Sequence, residues 1–399
     1  MGTNHLMRRR AVRFAVESSA YGAYAAPNVA VPILGDVSVR PWVGNHVQRN
    51  TVRPYLGTVR SITVGEYATI DFSVELAGSG AAATAPAYAG LLKAVNLASE
   101  TILASPITGT AQSGSTGTTI KLASGASSTD DLYAGMTVTT TGGTGSGQAR
   151  EITAYDGTTK VATVSAAWAV TPDATTAYSI GANVGYLPVS VMGASTSVTL
   201  EIHTGAETSS ASVRHQFVGC RGSATLEFSK DQLPSIKFSL MGLVYGHADS
   251  TLPALDFGAW QAAIPVTTTN SGTGLMIAGF SGVVLDSLTL DIGAKAAYRG
   301  VVNDTSIRIT DRAVTGRANV AAWALSEADF WTRLRQAQES PLLIRHGTAA
   351  GNSVTVLAPA VQITDGTYTD VDGIAHLDLS FAANAFRSSG NDELKVVTK

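Results

Sequence analysis

RSITVGEYATIDFSVELAGSG, residues 60–80, alternates apolar and polar side chains well beyond the five or six residues of an ordinary strand. The apolar row contains Ile62, Val64, Ala68, Ile70, Phe72, Val74 and Leu76, and the polar row contains Thr63, Tyr67, Thr69, Asp71, Ser73 and Glu75. A period of two predicts one long strand, or a strand bent at Gly65. Because one row needs a core and the other needs water, this strand suits a sheet that lines a surface better than one that holds a catalytic pocket.

The composition favours β-structure over helix bundles. Only 14% of the 399 residues are charged, and Gly, Ala, Ser and Thr are abundant. With 27 basic and 30 acidic residues, the chain lacks the basic excess that wrapping around nucleic acid requires. The single cysteine, Cys220, excludes an intramolecular disulfide framework, fits a reducing cytoplasm and is interpreted as a small buried residue. No signal peptide or 20-residue apolar run is recognisable, so we expect a soluble protein without a membrane span.

The first 56 residues predict contacts rather than a core. Residues 1–30 show little periodicity and are interpreted as an N-terminal arm. From Gly35 to Leu56 a short strand leads into a long excursion bounded by Pro41 and Pro54, since proline interrupts a β-ladder. Arginine mixed with aromatic residues is typical of interfaces, so we expect a contact loop for another subunit, with a solvated loop as the alternative. Its candidate contact residues are Arg40, Trp42, Arg49, Arg53 and Tyr55.

A small β-module interrupts the first domain. Helical spacing after Pro86 predicts a short amphipathic helix. Residues 105–182 are then richer in Gly, Ser and Thr and predict four or five short strands, with a hairpin at Asp156–Gly157. We interpret them as an inserted surface module with an all-β fold, Ig-like or similar. Alternating strands resume after the insert, through Glu227 and Ser239.

The order of elements then repeats as strand, long strand, helix and closing strands. Ser326 followed by Asp329 predicts a helix start, and Phe330, Leu334 and Ala337 predict its buried stripe. The chain is therefore predicted to be mainly β, with two tandem sandwich or barrel-forming domains that each carry one flanking helix. The boundaries are 31–104 with 183–245 for the first domain, 105–182 for the insert and 246–399 for the second domain. Two unrelated β-domains are the alternative.

Motifs of enzymes and metal sites are missing. The seven histidines are scattered, without HExxH or zinc-ligand spacing. The glycine-rich run 142–147 follows no strand–helix pattern and has no lysine where a phosphate loop needs one, so it predicts a turn. The aspartates at 365–372 lack a closing glutamate and predict turns rather than a calcium loop. We expect no catalytic residues, no metal and no cofactor.

Two strings carry a family resemblance that extends over nearly the whole chain. VRPYLGTVRSITVGEYATIDFSVELAGSGAAATAPAYAGLLKA, residues 52–94, resembles the tail tube (major tail) proteins of siphovirus-type bacteriophages. FAANAFRSSGNDELKVV, residues 381–397, is similar to the closing segment of the same proteins. The insert resembles a small β-module that recurs in phage virion proteins. These strings are specific as sequence, but none of them is a chemical signature.

The resemblance implies a self-assembling conduit. Tail tube proteins stack as rings in which the sheets of neighbouring subunits join edge to edge into a β-barrel around a DNA-conducting lumen. The residues expected to face that lumen are Thr69, Asp71, Ser73, Glu75, Glu227, Lys237, Ser239, His376, Asp378 and Ser380. Carboxylates and hydroxyls there would not hold phosphates, so DNA would slide; Lys237 departs from this pattern. The N-terminal arm and the excursion would reach the next subunit or ring.

Two domains per chain imply a ring of three chains, a pseudo-hexamer, with a true hexamer as the alternative. The implied partners are other copies of the chain, the tape-measure protein and genomic DNA in the lumen, and the tail terminator and tail-tip proteins at the ends. The implied location is the phage virion, after assembly in the cytoplasm of the host bacterium. The insert would form an exterior knob with weak host-surface binding. The alternative functions are another tail component, such as a tail-tip protein or a host-surface adhesin, and, less supported, an enzyme such as a polysaccharide depolymerase.

Overall fold

The chain is described by a computed structural model over residues 4–49, 51–193, 196–267, 272–349 and 351–399, so the first three residues of the predicted arm lie outside it. It is mainly β, with 53% strand and 3% helix, which confirms the predicted fold class. Before the insert lie β1 (His5–Val16), β2 (Val29–Ala30), β3 (Leu34–Gln48), β4 (Ser61–Glu75), α1 (Ala89–Ala94) and β5 (Ser99–Leu103). The insert contains β6 (Ile107–Thr110), β7 (Thr119–Lys121), β8 (Thr137–Gly142), β9 (Ala149–Asp156), β10 (Val161–Val164) and β11 (Ala177–Ile180).

The remaining elements complete the two halves of the body. After the insert come β12 (Asn183–Leu187), β13 (Val198–Ala206), β14 (Ala211–Ser229) and β15 (Ser235–Thr251). The second half begins with β16 (Gly274–Ile277), β17 (Phe280–Ser281), β18 (Leu285–Asp291), β19 (Ala294–Val301), β20 (Asp304–Arg312) and β21 (Thr315–Ala321). It ends with α2 (Phe330–Arg335), β22 (Glu339–His346), β23 (Val354–Val371), β24 (Ile374–Ala383) and β25 (Lys395–Thr398).

The long strand predicted from residues 60–80 is confirmed as β4. Its apolar row is buried from Ala68 onward, with Ile70 and Val74 fully inaccessible, whereas Ile62 and Val64 are exposed, and Gly65 has a positive φ of 66°. The excursion predicted between Pro41 and Pro54 is wrong for its first part. β3 continues past Pro41 and pairs with β4 as far as Gln48 opposite Ser61, because Pro41 lies at a register shift and no described strand pairs with the other side of β3.

The N-terminal segment is a strand rather than an arm without regular structure. β1 pairs with β13 over seven consecutive residues, Arg10 to Val16, and briefly with β2. Val12 and Phe14 belong to the main hydrophobic core. The neighbours Ala11 and Ala15 are buried as well, so both faces of the strand are covered and the sequence lacks a period of two.

Eight neighbouring strands of the main 17-stranded sheet form a curled half-barrel that joins the two halves, called here the eight-stranded sheet. Its hydrogen-bonded order is β3, β4, β15, β14, β18, β21, β24 and β23. The first four strands come from the first half and the last four from the second. Each set consists of an earlier antiparallel pair followed by a later hairpin in reverse order, and in the second set the β19–β20 hairpin lies between the two strands of the earlier pair. A single hydrophobic cluster extends beneath both sets, from Val12 to Val396.

Both predicted helices exist, but the start of α2 differs from the prediction. Asp329, rather than Ser326, is the N-cap, and its carboxylate accepts a hydrogen bond of 2.9 Å from the Thr332 amide. Phe330 is buried in the core, whereas Ala337 lies beyond the helix and is exposed. The predicted buried stripe is therefore correct at its first position and wrong at its last.

The inserted strands form a separate six-stranded sheet with a core of its own. Although the insert interrupts the first half in sequence, it packs against the second half. Val397 of β25 contributes to the core of the insert, and Arg387 forms ion pairs with Asp130 and Asp131. Arg345 bonds Glu151 at 2.8 Å. Apolar and ionic contacts therefore hold the insert against the second half, in addition to the two chain connections that join it to the first half.

Candidate functional site

One face of the eight-stranded sheet is lined by polar side chains and is called here the polar face. Cross-strand registers place its residues in rows. One row is Ser73, Lys237, Thr225, Asp291 and Thr315. The next row is Glu75, Ser235, Glu227, Thr289, Arg317, Ser380 and Asp365. A depression of about 430 Å³ lies on this face between Thr225 and Ser380.

The polar face carries more negative than positive charge. Its carboxylates are Asp71, Glu75, Glu227, Asp291, Asp365 and Asp378, and its cations are Arg40, Lys237 and Arg317. Arg317 pairs with Asp378 at 3.0 Å, whereas Lys237 is exposed and makes no ion pair within the described part of the chain. An acidic surface repels polyanions.

The ten residues expected to share one face are brought together by β4, β14, β15 and β24. Two of them differ from a simple exposed position. His376 is buried, with its Nδ1 2.8 Å from Asn319 Oδ1, and the Glu75 carboxylate accepts a 2.8 Å bond from the Ala263 amide. Further residues of the same face, which are not among those ten, lie on β14, β18, β21 and β23: Ser223, Thr225, Thr289, Asp291, Thr315, Arg317, Asn319 and Asp365. The alternation Ser287, Thr289 and Asp291 in β18 is the signal that could have found them.

The two halves meet through an internal junction between β14 and β18. Five consecutive pairs join them, from Thr225 opposite Asp291 to Ser229 opposite Ser287. The pair Phe228 and Leu288 is fully buried. The junction continues into the β14–β15 turn, where the Lys230 amide donates to the Asp286 carbonyl at 2.8 Å.

The outer edges of the same sheet are free. Among the described residues, no strand pairs with the side of β3 opposite to β4. The last part of β23, residues 363–371, pairs only with β24, since its partner β22 reaches no further than Gln362. Unpaired backbone groups on long strands are a template for association with another chain.

A buried polar cluster reinforces the internal junction. Arg221 of β14 donates to the carbonyls of Gly193, Thr196 and Ile307 at 2.9–3.2 Å, and its guanidinium lies 4.4 Å above the ring of Tyr21. The Ile307 amide in turn donates to the Tyr21 hydroxyl, and burial raises the pKa of Tyr21 to about 12. The β19–β20 hairpin of the second half is therefore anchored to the first half.

Glu17 and Cys220 lie beside this cluster. The Glu17 carboxylate is fully buried and accepts bonds from the Gly219 amide at 2.6 Å and the Ser197 hydroxyl at 2.6 Å. Cys220 is buried, as expected from its sequence context, and burial raises the pKa of its thiol. A buried thiol of this kind is a packing group rather than a nucleophile.

The five predicted contact residues divide between a strand and its connection. Arg40 and Trp42 lie on β3, whereas Arg49, Arg53 and Tyr55 lie in the connection from β3 to β4. This end of the hairpin also exposes large apolar side chains, which are Val47, Val52, Leu56, Ile62 and Val64. Exposed apolar residues concentrated at one end of a hairpin mark an interaction surface.

One arrangement resembles a hydrolase triad, which bears on the enzyme alternative. Ser212 Oγ lies 3.2 Å from His203 Nδ1, and His203 Nε2 lies 3.6 Å from a Glu201 carboxylate oxygen. Ser212 is 1% exposed, so a substrate has no access to it. Burial lowers the pKa of His203, and Glu201 is engaged by Tyr24 at 2.7 Å and Gln216 at 2.8 Å. The three residues make a buried polar network between adjacent strands.

The described residues include no group of three or more His, Cys, Asp or Glu side chains placed to hold a metal ion. Neither of the two described helices combines the length and the apolar character that crossing a membrane requires. No family model matches the chain, and no curated protein matches it significantly.

Proposed function

We propose that this chain is a structural protein that assembles into rings through the free edges of its curled sheet, and that the rings stack as the tail tube of a long-tailed phage. The observation that carries the proposal is the internal junction. Within one chain, β14 and β18 join two sets of four strands that have the same order. The free part of β23 has the place of β14 in the second set, and β3 has the place of β18 in the first.

A second chain can therefore continue the sheet by the same contact. Three chains would supply six sets of four strands and close the curled sheet into a barrel without unpaired edges. The polar face would line its lumen, and the excess of carboxylates would prevent DNA phosphates from binding. The lumen would hold the tape-measure protein and later the passing genome, with the terminator and tail-tip proteins at the tube ends.

The assembled mass tests this proposal. Light scattering on the purified chain, followed by negative-stain imaging of the same sample, should give rings or tubes built from units of three times 41.1 kDa. Rings of six chains would retain the tube and reject the equivalence between the internal junction and the free edges. A monomer at every concentration, with or without a tail-tip seed, would reject the assembly function.

A further inference from the structure

An open cleft of about 700 Å³ borders the free edge of β3. It lies between β1, the chain leading into β3 and the segment that contains Phe257, and we call it the edge cleft. Val31 and Val37 form its buried apolar floor, and Phe257, 41% exposed, stands at its rim. The cleft is thus continuous with the edge at which a second chain would add its strand.

The edge cleft carries two cations and one carboxylate. Arg8 is exposed and makes no ion pair within the described part of the chain. Arg10 donates to the Val37 carbonyl and lies 3.5 Å from Asp36, while its Nε is buried without a hydrogen-bond partner. The cleft therefore has positive charge to spare for an acidic side chain.

The internal junction shows which residues a second copy would bring to this place. The core-facing residues of β15 and β24 match in order: Ile236, Phe238 and Leu240 correspond to Leu377, Leu379 and Phe381. The registers then make Leu226 and Phe228 of β14 correspond to Tyr368 and Asp370 of β23.

The same registers relate the partner strands. Because β15 corresponds to β24, the registers make Asp71 of β4 correspond to Arg317 of β21. Ser38 lies opposite Asp71, and Thr289 lies opposite Arg317. Val37 and Val39 of β3 therefore correspond to Leu288 and Leu290 of β18. Because Phe228 faces Leu288 inside the chain, Asp370 of one chain would face Val37 of the next. Tyr368 would likewise face Val39, as Leu226 faces Leu290.

We propose that the edge cleft is the receptor for Tyr368 and Asp370 of a second copy of this chain, with the Asp370 carboxylate bound by Arg8 and Arg10. This inference rests on the proposed ring assembly and names its contact residues. Both side chains point to one face because they are two residues apart in a strand. Tyr368 is 60% exposed, and its hydroxyl accepts a 3.1 Å bond from Trp331 Nε1, so its ring is already oriented in the isolated chain.

Charge reversal with exchange tests the contact. Asp370→Arg and Arg8→Glu should each raise the concentration needed for half-maximal ring formation at least about tenfold, measured by light scattering, since each places like charges together. The double variant restores opposite charges and should return to within about threefold of the parent. Glu327→Arg and Lys121→Glu are matched controls, because neither residue lines the cleft or makes an ion pair among the described residues.

The outcomes separate the cleft from the ring. If the parent forms rings and both reversals assemble like their controls, the cleft receives another occupant and this inference is wrong, while the tube proposal stands. If the two substitutions together raise the concentration for half-maximal ring formation by the product of their separate effects, the two residues do not meet, and the inference also fails. If the parent never associates, a second copy is not the occupant and both proposals fail together.

Discussion

The internal junction and the free edges have the same strand order but different side chains. At the junction, Phe228 packs against Leu288, both fully buried, and the Arg221 cluster closes over the joint. At the corresponding places of the free edges stand Tyr368 and Asp370, which are exposed, and the cleft of Arg8. A contact formed within one chain during folding can be apolar. An edge that stays exposed to water has to be partly polar and charged, because exposed apolar edges aggregate. In the proposed assembly, this separation would let a chain fold alone before it joins a ring.

Cysteine pairs give the largest expected difference between the two joints. Ser38→Cys with Thr369→Cys should form disulfides between chains, because their registers predict direct opposition across the new edge. Mild oxidation should convert assembled protein into covalent trimers on a denaturing gel. Glu227→Cys with Thr289→Cys, opposite each other inside the chain, should crosslink without any increase in mass.

The control for register is Ser38→Cys with Asp365→Cys. Asp365 lies on the same strand four residues from Thr369, roughly 13 Å away and beyond disulfide reach. Equal trimer yields from both pairs would show that the edges meet without a fixed register. Absence of trimer from the Thr369 pair, at concentrations where the parent assembles, would contradict edge pairing.

The Arg221 cluster should dominate the stability of the internal junction. Arg221→Met removes donors from the carbonyls of Gly193, Thr196 and Ile307, which stay buried, so the free energy of unfolding should fall by about 3 kcal/mol. Urea unfolding of dilute monomer measures this. Arg299→Met, which breaks only an exposed pair with Asp304, should cost under about 0.5 kcal/mol. Equal effects of the two substitutions would show that the cluster does not hold the halves together.

The contact between the insert and β25 has no counterpart at the free edges. Its contribution to the free energy of unfolding should depend on pH. Burial lowers the pKa of Lys395 to about 8, although its Nζ donates to the carbonyls of Asp131 and Leu132. The unfolded chain keeps this proton until about pH 10.4, so stability rises with pH from about 8 upward. Between pH 7 and 9 the parent should gain about 1 kcal/mol relative to Lys395→Met.

Thermal unfolding at several pH values measures that difference. Lys399, whose pKa burial also lowers to about 8, is present in both proteins, so the comparison isolates Lys395. The range stops at pH 9 because tyrosines with raised pKa values begin to destabilise the fold at higher pH. A constant difference between the two proteins across the range would mean that the folded chain keeps the Lys395 proton as readily as the unfolded chain does.

The parts of the fold that sequence could predict are those whose signal is local. The alternation in β4 fixes both the strand and the polar residues on its exposed face, including Asp71 and Ser73. β1 escapes such a prediction because Ala11, Val12 and Phe14 are buried on both faces. Pro41 misleads because proline ends a strand only where its missing amide is needed, and β3 lies at an edge.

Long-range pairing is the part that the sequence does not specify. Thr225 and Asp291 are 66 positions apart and have no property that marks them as neighbours. The edge cleft is assembled from three separate segments, so Arg8, Val37 and Phe257 come together only in the folded chain. The polar-face residues of β18 and β21 are predictable only in part. Their alternation is visible in the sequence, but the strands with which β18 and β21 pair are not.

Substitutions on the polar face should have the smallest effect on the stability of the internal junction and on assembly through the free edges. Arg317→Ala breaks the 3.0 Å pair with Asp378, but the Arg317 side chain is 68% exposed, so water and salt screen the charge. The free energy of unfolding and the free energy of assembly, taken from the concentration needed for half-maximal ring formation, should both change by less than about 0.5 kcal/mol. Urea unfolding and light scattering check the two values, with Lys237→Ser, which breaks no ion pair, as the control. A loss comparable to that of Arg221→Met would show that charges on the polar face hold the halves together, and the surface would then be a structural joint rather than a lining that is free to exclude DNA.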